Sequence, residues 1–210
     1  MKTPLNRKNL SRHFTYGWWK YLLLIVLVVF GVDLLYTTTA YRSPAEKKVE
    51  FYIYGYADTD SLDAYMESVR EQRMPDMEIM ASMMLTTDST YGPMQLATYI
   101  AAGEGDLYLI PRDQFISYAS SGGFIALEDD AELMAIFNDA GVSLQSGWRR
   151  DTDSGENHLY GIPASRVPGL EKYAVAQNGF LAILVSGGND ENTLKFLRIL
   201  CADMIAPQAD

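Results

Sequence analysis

The sequence predicts an α/β fold with a mostly parallel sheet flanked by helices, preceded by one transmembrane helix. Three observations carry that expectation. Residues 21–36 read YLLLIVLVVFGVDLLY, a run long and apolar enough to enter a bilayer. From Val49 onward, strand-like alternation and helix-like periodicity take turns along the chain. Gly and Pro mark most of the changeovers.

The apolar run comes first. Between Lys20 and Arg42 the only ionisable acid or base is Asp33, and Tyr21 to Phe30 is uninterrupted. Trp18 to Tyr36 is about nineteen residues at roughly 1.5 Å each, close to the roughly 30 Å of a hydrocarbon core. Trp18 and Trp19 stand at one edge and Tyr36 and Tyr41 at the other, as interfacial aromatics do. Lys2, Arg7, Lys8, Arg12 and Lys20 precede the run with no acid among them, which predicts a cytoplasmic N-terminus and an extracytoplasmic C-terminal domain in a single-pass protein of the cell membrane. The expected divisions are a basic tail over 1–17, a signal anchor over 18–36 in contact with the lipid bilayer, a polar stalk over 37–48 and a folded lobe over 49–210. A cleaved secretory signal is the competing reading, with Thr38-Thr39-Ala40 as its small-residue site. Asp33 lies near the outer end of the run, where it reaches the interface.

Composition narrows the classes. The chain has 210 residues and a net charge of −10, but beyond Asp33 it carries 12 basic and 26 acidic side chains. Such a surface excludes nucleic acid, whose phosphates need a basic footprint. Cys201 is the only cysteine, so no intramolecular disulfide forms.

Val49 to Tyr56 alternates apolar and polar residues and predicts the first strand. A helix follows with Asp60 or Ser61 as its cap and Leu62, Tyr65, Met66 and Val69 on one face. Glu78 to Leu85 is the second strand, and Pro93 opens a helix that stops at Gly103. Asp106 to Ile110, between Gly105 and Pro111, is a short buried strand. This order implies crossovers and parallel pairing. Shorter helices are expected over 113–121 and 132–138, with an extended piece over 124–127. Residues 148–157 are polar and turn-rich and lead into a strand near His158 to Ile162. Gly179 to Ser186 is the returning strand. Asn189 then caps a helix whose Phe196, Leu197, Leu200, Cys201 and Met204 form an apolar stripe, while Lys195 and Arg198 face water. Six methionines between Met74 and Met94 read as core filler, since Met adapts to irregular gaps.

Three blocks carry a family resemblance. QLATYIAAGEGDLYLIPRDQFISYASSGGFIAL, Gln95 to Leu127, resembles the first lobe of extracytoplasmic solute-binding proteins of ABC importers, the type II periplasmic-binding-protein fold. HLYGIPAS, His158 to Ser165, is similar to that family's strand crossing between lobes. FLAILVSGGNDENTLKFLRIL, Phe180 to Leu200, resembles the returning strand and helix. The resemblance implies a single such lobe and a ligand-binding or sensing role without catalysis. It also shows a departure: the family places a second lobe of roughly a hundred residues between crossing and return, whereas here only Arg166 to Asn178 intervenes. The second lobe is expected to be missing, and hinge closure around a ligand with it. The alternative role is a membrane-tethered interaction or scaffold module that has lost solute binding.

In such folds ligands meet the loops at the carboxyl ends of parallel strands. Those positions are Tyr54, Tyr56 and Asp58 after the first strand, Thr87, Asp88 and Tyr91 after the second, Arg112 and Asp113 after the third, and Tyr160 at the crossing. Aromatic faces and carboxylates suit a sugar-like or cationic small solute; an exposed cleft face would instead receive an envelope protein. Other chemistry fits less well. The exported part holds one histidine, His158, and no G-x-S-x-G elbow, which leaves no nucleophile-base-orienter set. Asp151 to His158 is rich in ligand atoms, but counted from Asp151 as position one, glycine falls at five and Ile162 at twelve, so the spacing of a calcium loop is absent. The same composition suits a hairpin turn. No metal and no cofactor are expected.

Overall fold

The computed structural model describes residues 7–39, 41, 43–175, 178–185 and 189–205. Residues 1–6 of the basic tail, the cleavage position at Ala40 and Ser186 of the returning strand lie outside the described residues. The chain divides into two units, Met1–Arg42 and Ser43–Asp210.

The first unit is one helix, α1 (Arg7–Thr39), whose large apolar side chains from Trp18 to Tyr36 are exposed. Its Gly17–Thr39 portion is long and apolar enough to cross a membrane, by length and composition. The helix runs three residues past Tyr36, into the stretch expected to be stalk. The Thr37, Thr38 and Thr39 hydroxyls donate back to the carbonyls of Asp33, Leu34 and Leu35 at 2.7, 2.8 and 2.6 Å, one turn earlier in the helix.

The second unit is a mixed α/β fold. Its five-stranded sheet has the order β2-β1-β3-β7-β6, formed by β1 (Lys48–Tyr54), β2 (Ile79–Leu85), β3 (Leu107–Pro111), β6 (Ile162–Pro163) and β7 (Gly179–Ile183). The first three strands are parallel, as the strand-helix order predicts, with Phe51 opposite both Ser82 and Leu107. β7 runs antiparallel to β3 and to β6, so four strands share one direction.

Alternation along β1 sends Val49, Phe51 and Ile53 to one face and Tyr52 to the other. The first face is covered by α2 (Thr59–Arg73), α5 (Ala131–Asp139) and α6 (Asp190–Met204); the second by α3 (Tyr91–Ala102) and α4 (Arg112–Ala119). The α6 stripe of Phe196, Leu197, Leu200, Cys201 and Met204 is buried, each large side chain contributing about 1.5–3 kcal/mol of transfer free energy. Burial pushes the Cys201 thiol up, so it stays a neutral core group.

Several local expectations shift. The cap of α2 is Asp58, one position before the helix, because its carboxylate reaches the Ser61 N–H at 3.2 Å. α3 begins at Tyr91, two residues before Pro93, where Asp88 Oδ1 takes the N–H groups of Thr90 and Tyr91 at 2.9 and 3.0 Å. Asn189 occupies the α6 cap position, but its side-chain amide donates to the Lys48 carbonyl of β1 instead. Arg198 is only partly exposed: it holds Asp130 at 2.8 Å and Glu132 at 2.6 Å, tying α6 to the start of α5. Phe124 to Leu127 forms no regular strand: Phe124 bridges Leu184, and the Ile125 and Leu127 N–H groups donate to the Ile183 and Leu159 carbonyls at 3.0 and 2.8 Å. The turn-rich segment is a hairpin of β4 (Trp148–Arg150) and β5 (Asn157–Leu159), its tip ordered by Asp151 Oδ1 accepting from Asp153 and Ser154 N–H groups at 2.8 and 2.7 Å. Three of the six clustered methionines, Met74, Met77 and Met80, are core; Met83 and Met84 are exposed on β2, which is the sheet's edge, and Met94 is exposed on α3.

Candidate functional site

The chain leaves β1 through α2 on one face and returns from β2 to β3 through α3 on the other, with β1 between its two neighbours. The carboxyl ends of β2, β1 and β3 therefore stand side by side where the two crossovers part. Seven of the nine sequence-predicted positions, with Thr87 included, lie just past these ends, Tyr56, Asp58, Thr87 and Asp88 in loops and Tyr91, Arg112 and Asp113 in the first turns of α3 and α4, and Tyr54 closes β1 itself.

Their chemistry differs once their contacts are counted. Tyr54 is half-buried, and a Cβ added at Gly92 would lie 2.6 Å from its hydroxyl, so it supports the first turn of α3. Gly55 (φ +148°) lets the chain turn, and Tyr56 follows at 70 % exposure. That loop is fixed from behind by Asp58 N–H to the Tyr173 carbonyl at 2.7 Å and Val175 N–H to the Tyr56 carbonyl at 3.0 Å. Asp58 is occupied as a cap: Ser61 Oγ donates to it at 2.6 Å, and this bond with that from the Ser61 N–H holds its pKa below the usual value. Asp88 is likewise occupied, its pKa lowered by the Tyr91 and Thr90 N–H groups just ahead of and at the start of α3. Thr87, Tyr91, Arg112 and Asp113 are exposed.

Tyr160 stands apart from this group. It precedes Ile162, which pairs with Leu181 opposite Leu109, so it sits towards the amino ends of the parallel strands. Its ring is buried and its hydroxyl donates to Asp151 Oδ2 at 3.1 Å; burial, then this bond, pushes its pKa up to about 12. The chain direction of a two-residue strand is not written in its sequence, which is why the crossing was expected at the wrong end.

The structure adds a groove that sequence reasoning missed. Met84, Thr86, Tyr91, Met94, Gln95, Thr98 and Tyr99 line a volume of about 690 Å³ between the β2 edge and α3. Gln95 Oε1 accepts from the Thr86 N–H at 3.0 Å and fixes its mouth. Of the predicted positions only Tyr91 reaches it. Among the described residues, no three His, Cys, Asp or Glu side chains converge on a metal-sized site.

The chain is similar to extracellular solute-binding proteins. Among solved structures these include an extracellular solute-binding protein family 1 member from Alicyclobacillus acidocaldarius, with 22% identity, a TM-score of 0.42, and coverage of 58% of this chain and 29% of that one. Another is maltose-bound MalE3 of T. maritima, with 20% identity, a TM-score of 0.41, and coverage of 60% and 32%. A third is the N-glycan transport solute-binding protein of Streptococcus pneumoniae, at 15% identity and TM-score 0.34, covering 55% and 24%. The matched part spans less than a third of the length of each of these solved structures. No protein-family model and no curated protein matches the sequence.

Two further groups went unseen in the sequence. Glu128 binds His158 from thirty residues away, and Arg149 lies over the Phe115 ring with its Cζ 5.3 Å from the centroid. Both depend on where the β4–β5 hairpin folds back, and no local motif marks that.

Proposed function

We propose that this chain is a membrane-anchored, extracytoplasmic, single-lobe protein of solute-binding type that binds or senses a small solute without catalysis. One observation carries the reading: at the point where the crossovers part, the carboxyl ends of β2, β1 and β3 present Tyr56, Tyr91 and Arg112 to solvent. Loops diverging at such a point leave a crevice in which open α/β sheets hold ligands. The tyrosine faces suit a sugar-like solute, and Asp113 beside them suits a cationic one. The short path from β6 to β7, through 3₁₀ turns at Ala164–Arg166 and Pro168–Lys172, supports the absence of a second lobe. Anchoring draws on the apolar Gly17–Thr39 portion of α1 and on the basic residues before it, which favour a cytoplasmic N-terminus.

Calorimetric titration of the full chain in nanodiscs with neutral and acidic sugars, peptides and cations tests this. At least one solute is expected to bind more tightly than about 1 mM, with affinity falling in Tyr56→Ala. A folded protein that binds none of them this well overturns the reading. The alternative, docking of an envelope protein, draws on the exposure of Tyr56, Tyr91 and Val175 along the same edge. Crosslinking from these positions in intact membranes would then give one defined adduct, lost on their substitution.

A further inference from the structure

Charge is distributed unevenly around the base of α4. The exported part holds 26 acids and 12 bases, so a cation there is surrounded by available partners. Arg70, Arg73 and Arg198 each hold a carboxylate, Glu67, Asp203 and Asp130 respectively. Arg112 and Arg149 do not: among the described residues neither forms an ion pair, and Arg149 makes one hydrogen bond, Nη1 to the Trp148 carbonyl at 2.5 Å. Arg149 is half-buried, and after burial the one charge that acts on it appreciably is Arg112, a second cation. Both influences lower its pKa and both disfavour its charge.

The two side chains share one structural base. Arg112 opens α4 and Phe115 lies three residues on, along the same side of the helix. The Arg149 guanidinium stacks over that Phe115 ring, which is itself held in place by Phe180, the ring centroids 4.3 Å apart. A cation is also unfavourable at the positive end of a helix dipole, where Arg112 stands. The Arg149 guanidinium thus lies over a ring one helical turn from Arg112, and among the described residues neither arginine forms an ion pair. Guanidinium groups bind carboxylates and phosphates through paired, planar N–H donors, and an aromatic platform holds such a fork in one plane.

We propose that Arg112 and Arg149 form an oxyanion site beside the Phe115 ring at the start of α4, holding the carboxylate or phosphate group of a sugar-like solute. The proposal rests on the ligand-binding reading above and narrows it: the solute is acidic, and a cationic one is excluded. The unpaired arginines are a cost to the empty protein that the bound anion offsets.

The test titrates the full chain in nanodiscs, at constant ionic strength, with glucuronate against glucose, glucose 6-phosphate against glucose, and inorganic phosphate against chloride. At least one acidic sugar is expected to bind about tenfold or more tightly than glucose. Glucuronate alone marks a carboxylate ligand, and glucose 6-phosphate with inorganic phosphate marks a phosphate ligand. Arg149→Met and Arg112→Ala should each remove that advantage, while Arg149→Lys, which keeps the charge and loses the fork, should retain part of it. Thermal unfolding without solute supplies the control for folding: Arg149→Met should match or exceed the native chain, because an unpartnered cation has been removed. Equal binding of glucose and its acids, anion binding that survives both substitutions, or a marked loss of unliganded stability in Arg149→Met overturns the site. If neutral sugars bind and neither arginine matters, the inference falls and the ligand-binding reading stands. If no solute of either kind binds, both fall.

Discussion

Nδ1 of His158 lies 2.5 Å from Oε1 of Glu128, and the other oxygen of the same carboxylate takes the Leu159 N–H at 2.9 Å. One side chain thus ties the segment after Leu127 to β5. The far side of the imidazole faces Glu156, with Nε2 3.8 Å from its carboxylate. Both members of the main pair favour their charged forms. The Glu128 bond raises the His158 pKa above its ordinary 6.5. Burial pushes Glu128 up, but the His158 bond and the backbone N–H bonds outweigh it and leave it below its ordinary 4.5.

The sign of the pH dependence follows. A histidine raised on folding contributes fully below its unfolded value, and that contribution is lost as pH rises through the folded value. A glutamate lowered on folding contributes above its unfolded value and loses this on acidification. The pair therefore stabilises most between 4.5 and 6.5. In thermal unfolding, the gap between the native chain and His158→Gln should be widest in that window and narrow as the pH rises beyond it through the raised His158 value. A gap that stays constant with pH would show that His158 contributes through packing alone.

Asp130 performs two tasks at once. Its Oδ1 caps α5 through the Leu133 N–H at 2.9 Å, and its Oδ2 holds Arg198 of α6. Glu132 also meets Arg198 but is largely exposed. Asp130→Ala should cost about 2 kcal/mol or more, summing a lost cap and an arginine left half-paired. Glu132→Ala should cost less than about 1 kcal/mol. Denaturant unfolding of the two variants checks the order, and equal losses would reject it.

How much of this could be read in advance depends on the range of the interaction. Strands β1 to β3 and the buried stripe of α6 were legible because alternation and a 3.6-residue period are local signals. So were the exposed positions Tyr56, Tyr91, Arg112 and Asp113, because the end of a parallel strand is visible as the end of its apolar run. The cap of α2 was misplaced because Asp58, Asp60 and Ser61 are all competent caps, and the geometry selects the first. Met83 and Met84 were assigned to the core because strand order, which leaves β2 at the edge, is a property of the whole sheet. The partners of Arg198 and His158 lie 68 and 30 residues away, beyond any periodicity. Arg149 is the clearest case: its meaning lies in what is not beside it, and a sequence does not record that.

The β2 edge leads to a prediction about association. Ile79, Met83 and Met84 are exposed on a strand with no charged residue, next to Tyr91 and Met94 of α3. Edge strands of this kind invite pairing with other chains unless a charge interrupts them. Purified in detergent, the full chain should show concentration-dependent crosslinking that Met84→Lys reduces, with stability changed by less than about 0.5 kcal/mol. Crosslinking that persists unchanged would place the contact elsewhere.

Gly147 and Gly161 bring the segment before β4 close against the segment that enters β6. A Cβ added at Gly147 would lie 1.8 Å from the Gly161 carbonyl oxygen, and one added at Gly161 would lie 2.6 Å from the Phe115 ring and 3.0 Å from the Leu181 carbonyl oxygen. The atom in the way is backbone in the first case, so no side-chain rotation relieves it. Tyr160 N–H also donates to the Gly147 carbonyl at 3.2 Å, which pins the two segments together. Gly147→Ala should therefore destabilise by about 3 kcal/mol or more, through the overpacking of a site that cannot relax. Gly141→Ala is the control: its φ of +64° imposes strain, but nothing lies within 4 Å of the added carbon. That variant should lose only about 1 kcal/mol. Because Arg149 follows Gly147 by two residues, a tolerated Gly147→Ala would mean that the hairpin can shift, and Arg149 would then lose its fixed place over Phe115. Measuring both variants by denaturant unfolding, with phosphate titrated into whichever folds, separates a rigid hairpin from a movable one.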